Sequence, residues 1–351
     1  MKIGIPKEIK TLEGRVGLVP EACGELIRQG HELFVESGAG LLSGFPDEKY
    51  LAAGVSVVPG AASLYGEAEL VVKVKEPQQA EWGYLREDHL LFCFLHLAAE
   101  PILTNMLLDT GLTAVAFETV QEQDGLPILA PMSDIAGRIA IQIGGHLLHR
   151  PQGGKGVLLG GLPAAERGRV VILGAGQAGG SAAAYAAACG AEVVVFDKRR
   201  DRLAAMRALG ANVTALYAYA GQIDREVRRA DLLVGAVLVP GAKAPKLVSA
   251  DQVAGMEPGS VIVDIAVDQG GCVETIHPTS YAAPTYRVSD VVHFGVTNMP
   301  GAVPKSASQA LSASLIPYLQ LLAQKDWRKN PILLKAVNVE QGKILHPALK
   351  P

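Results

Sequence analysis

The chain has 351 residues, 49% hydrophobic and 19% charged, with a formal net charge of −3. That length exceeds one ordinary core and sets an expectation of two domains. The composition excludes a disordered chain, and with no basic stripe no nucleic-acid partner is expected.

The chain opens on an apolar strand, residues 2–5, with no signal-peptide core. Strands at 32–36, 70–74, 89–95 and 113–117 then alternate with helices at 20–29, 47–53 and 101–109. Such alternation predicts a parallel sheet with crossover helices. A long helix follows over 131–148, with Ser133 and Asp134 suited to its first turn. The glycine-rich stretch 151–161 is too short for a free linker and reads as a candidate functional loop.

The most informative run is 169–197: buried strand, glycine turn, small-residue helix, second strand, acidic residue. Gly174 permits the tight turn, Gly176 lets a pyrophosphate approach the backbone, and Gly179 lets the helix pack close to the sheet. Asp197 lies 18 residues after Gly179, where a carboxylate would accept hydrogen bonds from a ribose 2′-OH. The context predicts dinucleotide binding. Further strands are expected at 213–216, 232–236, 260–265 and 292–296. A last helix at 307–322 is expected to be bent or interrupted at Pro317.

The predicted fold class is α/β. Two doubly wound domains, one a Rossmann dinucleotide-binding domain, are joined by bridging helices around 135–148 and 307–322. Residues 1–130 plus 305–351 would form the substrate domain and 131–304 the NAD-binding domain, hinged across a central cleft. The four cysteines lack CxxC spacing and read as reduced core residues of a cytoplasmic protein. The eight histidines form no HxH or HExxH cluster, so no metal is expected. No apolar run is long enough to span a bilayer, so no membrane partner is expected.

Ligands of open parallel sheets bind outside the carboxyl ends of the strands. Arg15, Lys75, Glu76, His96 and Glu118 fall there in the first half, Asp268 and Asn298 in the second. Each has a structural alternative. Arg15 would otherwise be a solvated loop charge, and one of Lys73 and Lys75 a surface charge. His96 would be a hydrogen-bonded core residue, and Asp268 the cap of its own turn. As a set they fit a nicotinamide enzyme acting on a small α-substituted acid. Arg or Lys anchors the carboxylate, a cation polarises the carbonyl or imine, and His moves a proton near neutrality. These residues do not distinguish an amino acid from a hydroxy acid.

Several blocks resemble the bacterial L-alanine dehydrogenases: MKIGIPKEIK (1–10), RVGLVP (15–20), GHELFVESGAG (30–40), VKVKEP (72–77), LHLAA (95–99) and APMSDIAGR (130–138). Later come GAVLVPGAKAPK (235–246), VDIAVDQGGC (263–272) and TNMPGAVP (297–304). The resemblance covers nearly the whole chain. It implies reversible NAD-dependent deamination of L-alanine to pyruvate and ammonia by a homo-oligomer, a hexamer. It assigns Arg15 and Lys75 to the substrate's carboxylate and oxo group, and His96 and Asp268 to acid/base work. It places Ser133, Asp197, the glycine loop, Asp268 and Asn298 against the cofactor. Three departures stand out: Asp134 where the family usually has Glu, the basic run Lys198-Arg199-Arg200 after Asp197, and an end at Pro351, earlier than in most relatives. The alternatives are a related dehydrogenase of another amino acid and a non-catalytic NAD(H)-binding module resembling a transhydrogenase subunit.

Overall fold

The computed structural model describes residues 1–123, 125–237 and 244–349. In chain order the elements are β1 (Lys2–Ile5), α1 (Pro20–Arg28), β2 (Glu32–Glu36), α2 (Asp47–Ala52), β3 (Ser56–Val58), α3 (Ala61–Glu67), β4 (Leu70–Val72), β5 (Leu90–Cys93), α4 (Pro101–Thr110) and β6 (Thr113–Ala116). There follow α5 (Ala130–Leu147), β7 (Arg169–Leu173), α6 (Gln177–Ala188), β8 (Glu192–Asp197), α7 (Arg200–Arg207), β9 (Val213–Tyr217), α8 (Ala220–Arg228) and β10 (Leu232–Gly235). The chain closes with α9 (Ala250–Ala254), β11 (Val261–Asp264), β12 (Thr285–Val288), β13 (Val291–Phe294), α10 (Pro304–Leu322), α11 (Pro331–Ala336), β14 (Val337–Glu340) and β15 (Lys343–Ile344). Two compact units result, Met1–Met132 with Gly301–Pro351, and Ser133–Pro300.

In the first unit the strand order is β15-β14-β6-β5-β4-β1-β2-β3. Strands β1 to β6 are parallel, in the doubly wound order 3-2-1-4-5-6. Strand β4 is apolar throughout and fully buried, as befits a central parallel strand covered on both faces. Two antiparallel strands, β14 and β15, extend the β6 edge. Helix α10 belongs to this unit. Pro317 lies inside it without ending it.

The second unit repeats the plan. Its order is β12-β13-β11-β10-β7-β8-β9, with β12 antiparallel to β13 and the rest parallel. Helix α6 lays Gly179, Ala182, Ala183 and Ala186 inward, and a helix of such small side chains approaches its sheet closely. The core gathers Val171, Leu173, Val194, Phe196, Val227, Leu233 and Ile262.

Two sequence expectations change. The 151–161 stretch is not at the ligand edge: Lys155 pairs with Asp231 and Glu257 and its N–H donates to the Gly259 carbonyl, all before the starts of β10 and β11. Gly154 and Gly160 serve packing there, since a Cβ on either would collide with the Leu147 or Cys189 carbonyl oxygen. Cys189 is exposed, while Cys23, Cys93 and Cys272 are buried; Cys189 sits at the C-cap of α6, where the helix leaves the sheet.

Candidate active site

In a doubly wound sheet, the crevice opens where the strand order reverses. In the first unit that point lies between β1 and β4, so the loops after Ile5 and Val72 meet there. Arg15 comes from the first loop and Lys75 from the second.

Arg15 is only 2% exposed, which excludes a solvated loop charge. Its Nε donates to Glu13 Oε1 at 2.7 Å, a second guanidinium nitrogen to Glu13 Oε2, and a third to the Met132 sulfur at 3.3 Å. The loop itself is pinned. Ser308 and Ser312 of α10 accept from the Val16 and Val19 N–H groups at 3.0 and 2.9 Å. Tyr50 donates to the Leu18 carbonyl and Ser43 to that of Gly14.

Lys73 and Lys75 part company because β4 ends at Val72. Lys73 turns inward, fully buried, with Nζ 2.8 Å from Glu81 and 3.3 Å from Glu8. Burial alone would lower its pKa; Glu8 and Glu81 outweigh burial and raise it. Lys75 is half-buried. Burial first, then the Arg15 guanidinium, lower its pKa, with Glu76 acting the other way. Neither lysine is a surface charge. Glu76 is buried and pairs with Lys10.

The β4–β5 pairing continues past both strands: Lys73 N–H donates to Phe92 O and Phe94 N–H to Val74 O. His96 therefore follows the strand adjacent to that of Lys75. It is exposed, so the core alternative is excluded. Its backbone is left-handed, φ 50°, and its ring stacks on Phe94. Glu118, on the turn after β6, accepts from the His96 N–H at 2.7 Å and from that of Leu95. Glu118 thus holds the histidine turn.

In the second unit the reversal lies between β7 and β10, and the glycine loop occupies it. Gly174 has φ +99°, and a Cβ there would lie 2.7 Å from the Ala236 carbonyl oxygen. A Cβ on Gly179 would collide with the Gly174 carbonyl oxygen. At Gly176 a Cβ would meet only an Arg202 guanidinium nitrogen, at 3.6 Å. Gly174 and Gly179 thus answer to the fold, and Gly176 leaves room for a ligand backbone approach. That cradle fits a dinucleotide pyrophosphate.

Asp197 ends β8 beside this loop. Its Oδ2 accepts from the Ala175 N–H at 2.7 Å and Oδ1 from the Arg199 N–H at 2.8 Å. Asp134 ties α5 to α6: its side chain accepts from Gln177 and its carbonyl from the Ser181 hydroxyl. Ser133 precedes Asp134 in the first turn of α5. Asp268 and Asn298 follow the paired strands β11 and β13. Asp268 is exposed on a 3-10 turn, and Asn298 is left-handed at φ 55°. The cap of the Asp268 turn is Asp264, whose carboxylate accepts from Ala266, Cys272 and Val273 N–H groups. Residues 238–243 of the 235–246 block lie outside the described residues.

Sequence reasoning missed Glu13, Glu81 and Asp264, all buried ionisable residues near candidate residues in the chain. A signal was available for two of them: Glu13 lies two residues from Arg15 and Asp264 four from Asp268, whereas Glu81 lies six from Lys75. Among the described residues, no group of three or more His, Cys, Asp or Glu is placed to hold a metal, and no helix is long and apolar enough to cross a membrane.

Two family models cover the chain: the alanine dehydrogenase/PNT N-terminal domain over residues 4–136 and the C-terminal domain over 140–347. The chain belongs to this family. It is 48% identical over 351 residues to an alanine dehydrogenase of Mycobacterium tuberculosis, spanning 98% of this chain and 95% of the relative. It is 46% identical to that of Bacillus subtilis, over 99% of this chain and 94% of the relative. A solved L-alanine dehydrogenase superposes with a TM-score of 0.96 at 51% identity, covering 99% of this chain and 98% of the other. The transhydrogenase from Sinorhizobium meliloti gives 0.86 at 27% identity, covering 99% and 100%.

Proposed function

We propose that this chain catalyses the reversible oxidative deamination of L-alanine, with NAD as hydride acceptor. The observation that carries the reading is the pair of cations, Arg15 and Lys75, built into the strand-order reversal of a unit separate from the dinucleotide cradle. In this reading Arg15, stiffened by Glu13, anchors the substrate carboxylate through a charge-assisted bond. Lys75 faces the amino or oxo group and polarises it. Its lowered pKa brings its proton closer to use at working pH. His96 and Asp268 are the acid/base groups for the water that attacks the imine. One alanine and one water give pyruvate and ammonium; a hydride leaves with the cofactor and a proton goes to solvent.

NAD, when bound, supplies the two-electron acceptor. Gly174, Gly176 and Gly179 would cradle its pyrophosphate and Asp197 its ribose, with Ser133, Asp268 and Asn298 lining the remainder. A homo-oligomer, specifically a hexamer, and a cytoplasmic location complete the reading; the four free cysteines agree with a reducing compartment. Sedimentation checks the assembly.

The deciding assay follows NADH absorbance with pyruvate and ammonium supplied separately and together. NADH consumption requiring both supports the reading. Consumption with pyruvate alone would identify a hydroxy-acid dehydrogenase, and NADH binding without turnover a carrier module.

A further inference from the structure

The basic cluster after Asp197 is not uniform. Arg199 chelates Asp201, with Nε at 3.2 Å and a terminal nitrogen at 2.6 Å. Lys198 and Arg200 are exposed. Arg202, two residues further along α7, points the other way. Its guanidinium lies 3.7 Å from Asp197 Oδ2. The same nitrogen is the atom that a Cβ on Gly176 would meet, at 3.6 Å. One cation therefore sits between the second glycine of the cradle and the carboxylate at the end of β8. Asp197 cannot swing away to avoid a ligand, because two backbone N–H groups hold its two oxygens.

We propose that Arg202 is a specificity-determining residue of the cofactor site, a latent anchor for a 2′-phosphate that Asp197 holds in check. The proposal rests on the dinucleotide reading above. A phosphate monoester carries close to two negative charges at neutral pH. Beside a fixed carboxylate it is repelled, and NAD is preferred over NADP. A guanidinium within reach of the same carboxylate offsets part of that repulsion and presents a planar fork suited to phosphate oxygens. The preference for NAD is then set by the difference between two opposed charges. Neutralising the carboxylate would leave the arginine unopposed. Of the adjacent Lys198–Arg200 run, Arg199 is held by Asp201 and the other two are exposed, so the run contributes less.

The test compares Arg202→Gln, Asp197→Asn and the double variant with wild type, and Lys198→Ala as a control. Two readouts are taken: kcat/KM for NADH and NADPH, and competition by 5′-AMP and 2′,5′-ADP, which needs no hydride transfer. Asp197→Asn should raise the NADPH/NADH ratio and tighten 2′,5′-ADP relative to 5′-AMP. Adding Arg202→Gln should cancel that gain by roughly tenfold, the scale of one charge-assisted hydrogen bond. Arg202→Gln alone should lower the ratio, and Lys198→Ala should leave it within about twofold. Equal loss for both cofactors would overturn the proposal and assign Arg202 to the shared pyrophosphate. An unchanged ratio in Asp197→Asn on adding Arg202→Gln would overturn it too, leaving a solvated helix charge. Failure of wild type to bind NADH or 5′-AMP at all would instead refute the dinucleotide reading.

Discussion

Two lysines two residues apart carry opposite duties, and the difference lies in where a strand stops. Lys73 neutralises Glu8 and Glu81 in a fully buried cluster. Lys73→Met would strand two carboxylates without a counter-charge, a loss of about 3–5 kcal/mol. Urea unfolding should register that loss, whereas Lys75→Ala should leave stability nearly unchanged, abolish turnover and spare NADH binding. Near-wild-type activity of Lys75→Ala would remove the lysine from the mechanism. The pH dependence carries a definite sign. Burial and Arg15 hold the Lys75 pKa below its ordinary value, so pyruvate capture by the ammonium form is lost earlier as pH rises. Arg15→Gln removes one depressing charge and should move the basic limb of kcat/KM for pyruvate to higher pH, even as KM rises. A basic limb that stays put or moves down would break the link between the two cations. From sequence, Arg15 and Lys75 were legible as polar residues at apolar strand ends. The inward turn of Lys73 was not, because strict alternation puts both lysines on one face and β4 ends before either.

Strands with strong patterns were read to within a few residues, and weak elements were lost. Strands β1 and β2 match their expected spans, since the side chains alternate or are wholly apolar there. Strand β3 has three residues, none fully buried, and α3 carries Gly66 within a helix of only 7 residues. Neither presents a periodic face long enough to recognise. Strands β14 and β15 exist because β6 offers a free edge, a partner more than two hundred residues away that no local pattern reveals. The glycine loop is the opposite case, since its requirements are local. Those requirements separate into fold and function, and two substitutions distinguish them. Gly179→Ala forces its Cβ into the Gly174 carbonyl, so it should cost at least about 1–3 kcal/mol as overpacking. Gly176→Ala meets open space apart from a movable arginine, so unfolding should stay within about 0.5 kcal/mol of wild type while NADH binding weakens. Equal destabilisation by both, measured by thermal unfolding beside NADH fluorescence titration, would deny Gly176 a role at the ligand.

At the scale of the whole molecule, one topology serves twice: Arg15 and Lys75 follow the strands at one reversal of strand order, and the glycine loop occupies the other. The repetition was visible as two alternating segments. The sequence reading also places residues 305–351 with the first domain; what it does not convey is how the tail holds the start of the chain. Residues 301–351 belong to the first unit, and α10 presents Ser308 and Ser312, one turn apart, to the Arg15 loop. Both hydroxyls are almost fully buried and accept from the Val16 and Val19 N–H groups. Removing them leaves two buried backbone donors without partners, at about 1–3 kcal/mol each. The consequence should be local to the substrate residues. Ser308→Ala with Ser312→Ala should lower the unfolding midpoint and raise KM for pyruvate, because the loop that aims Arg15 loosens. The NADH dissociation constant should hold, since the cradle is built wholly from the other unit. Single variants should show intermediate effects, and Ser308→Thr, which keeps the hydroxyl, should retain more of the pyruvate affinity than Ser308→Ala. A fall in NADH affinity matching the rise in KM would mean that the serines support the molecule as a whole, and that Arg15 owes its aim to Glu13 alone.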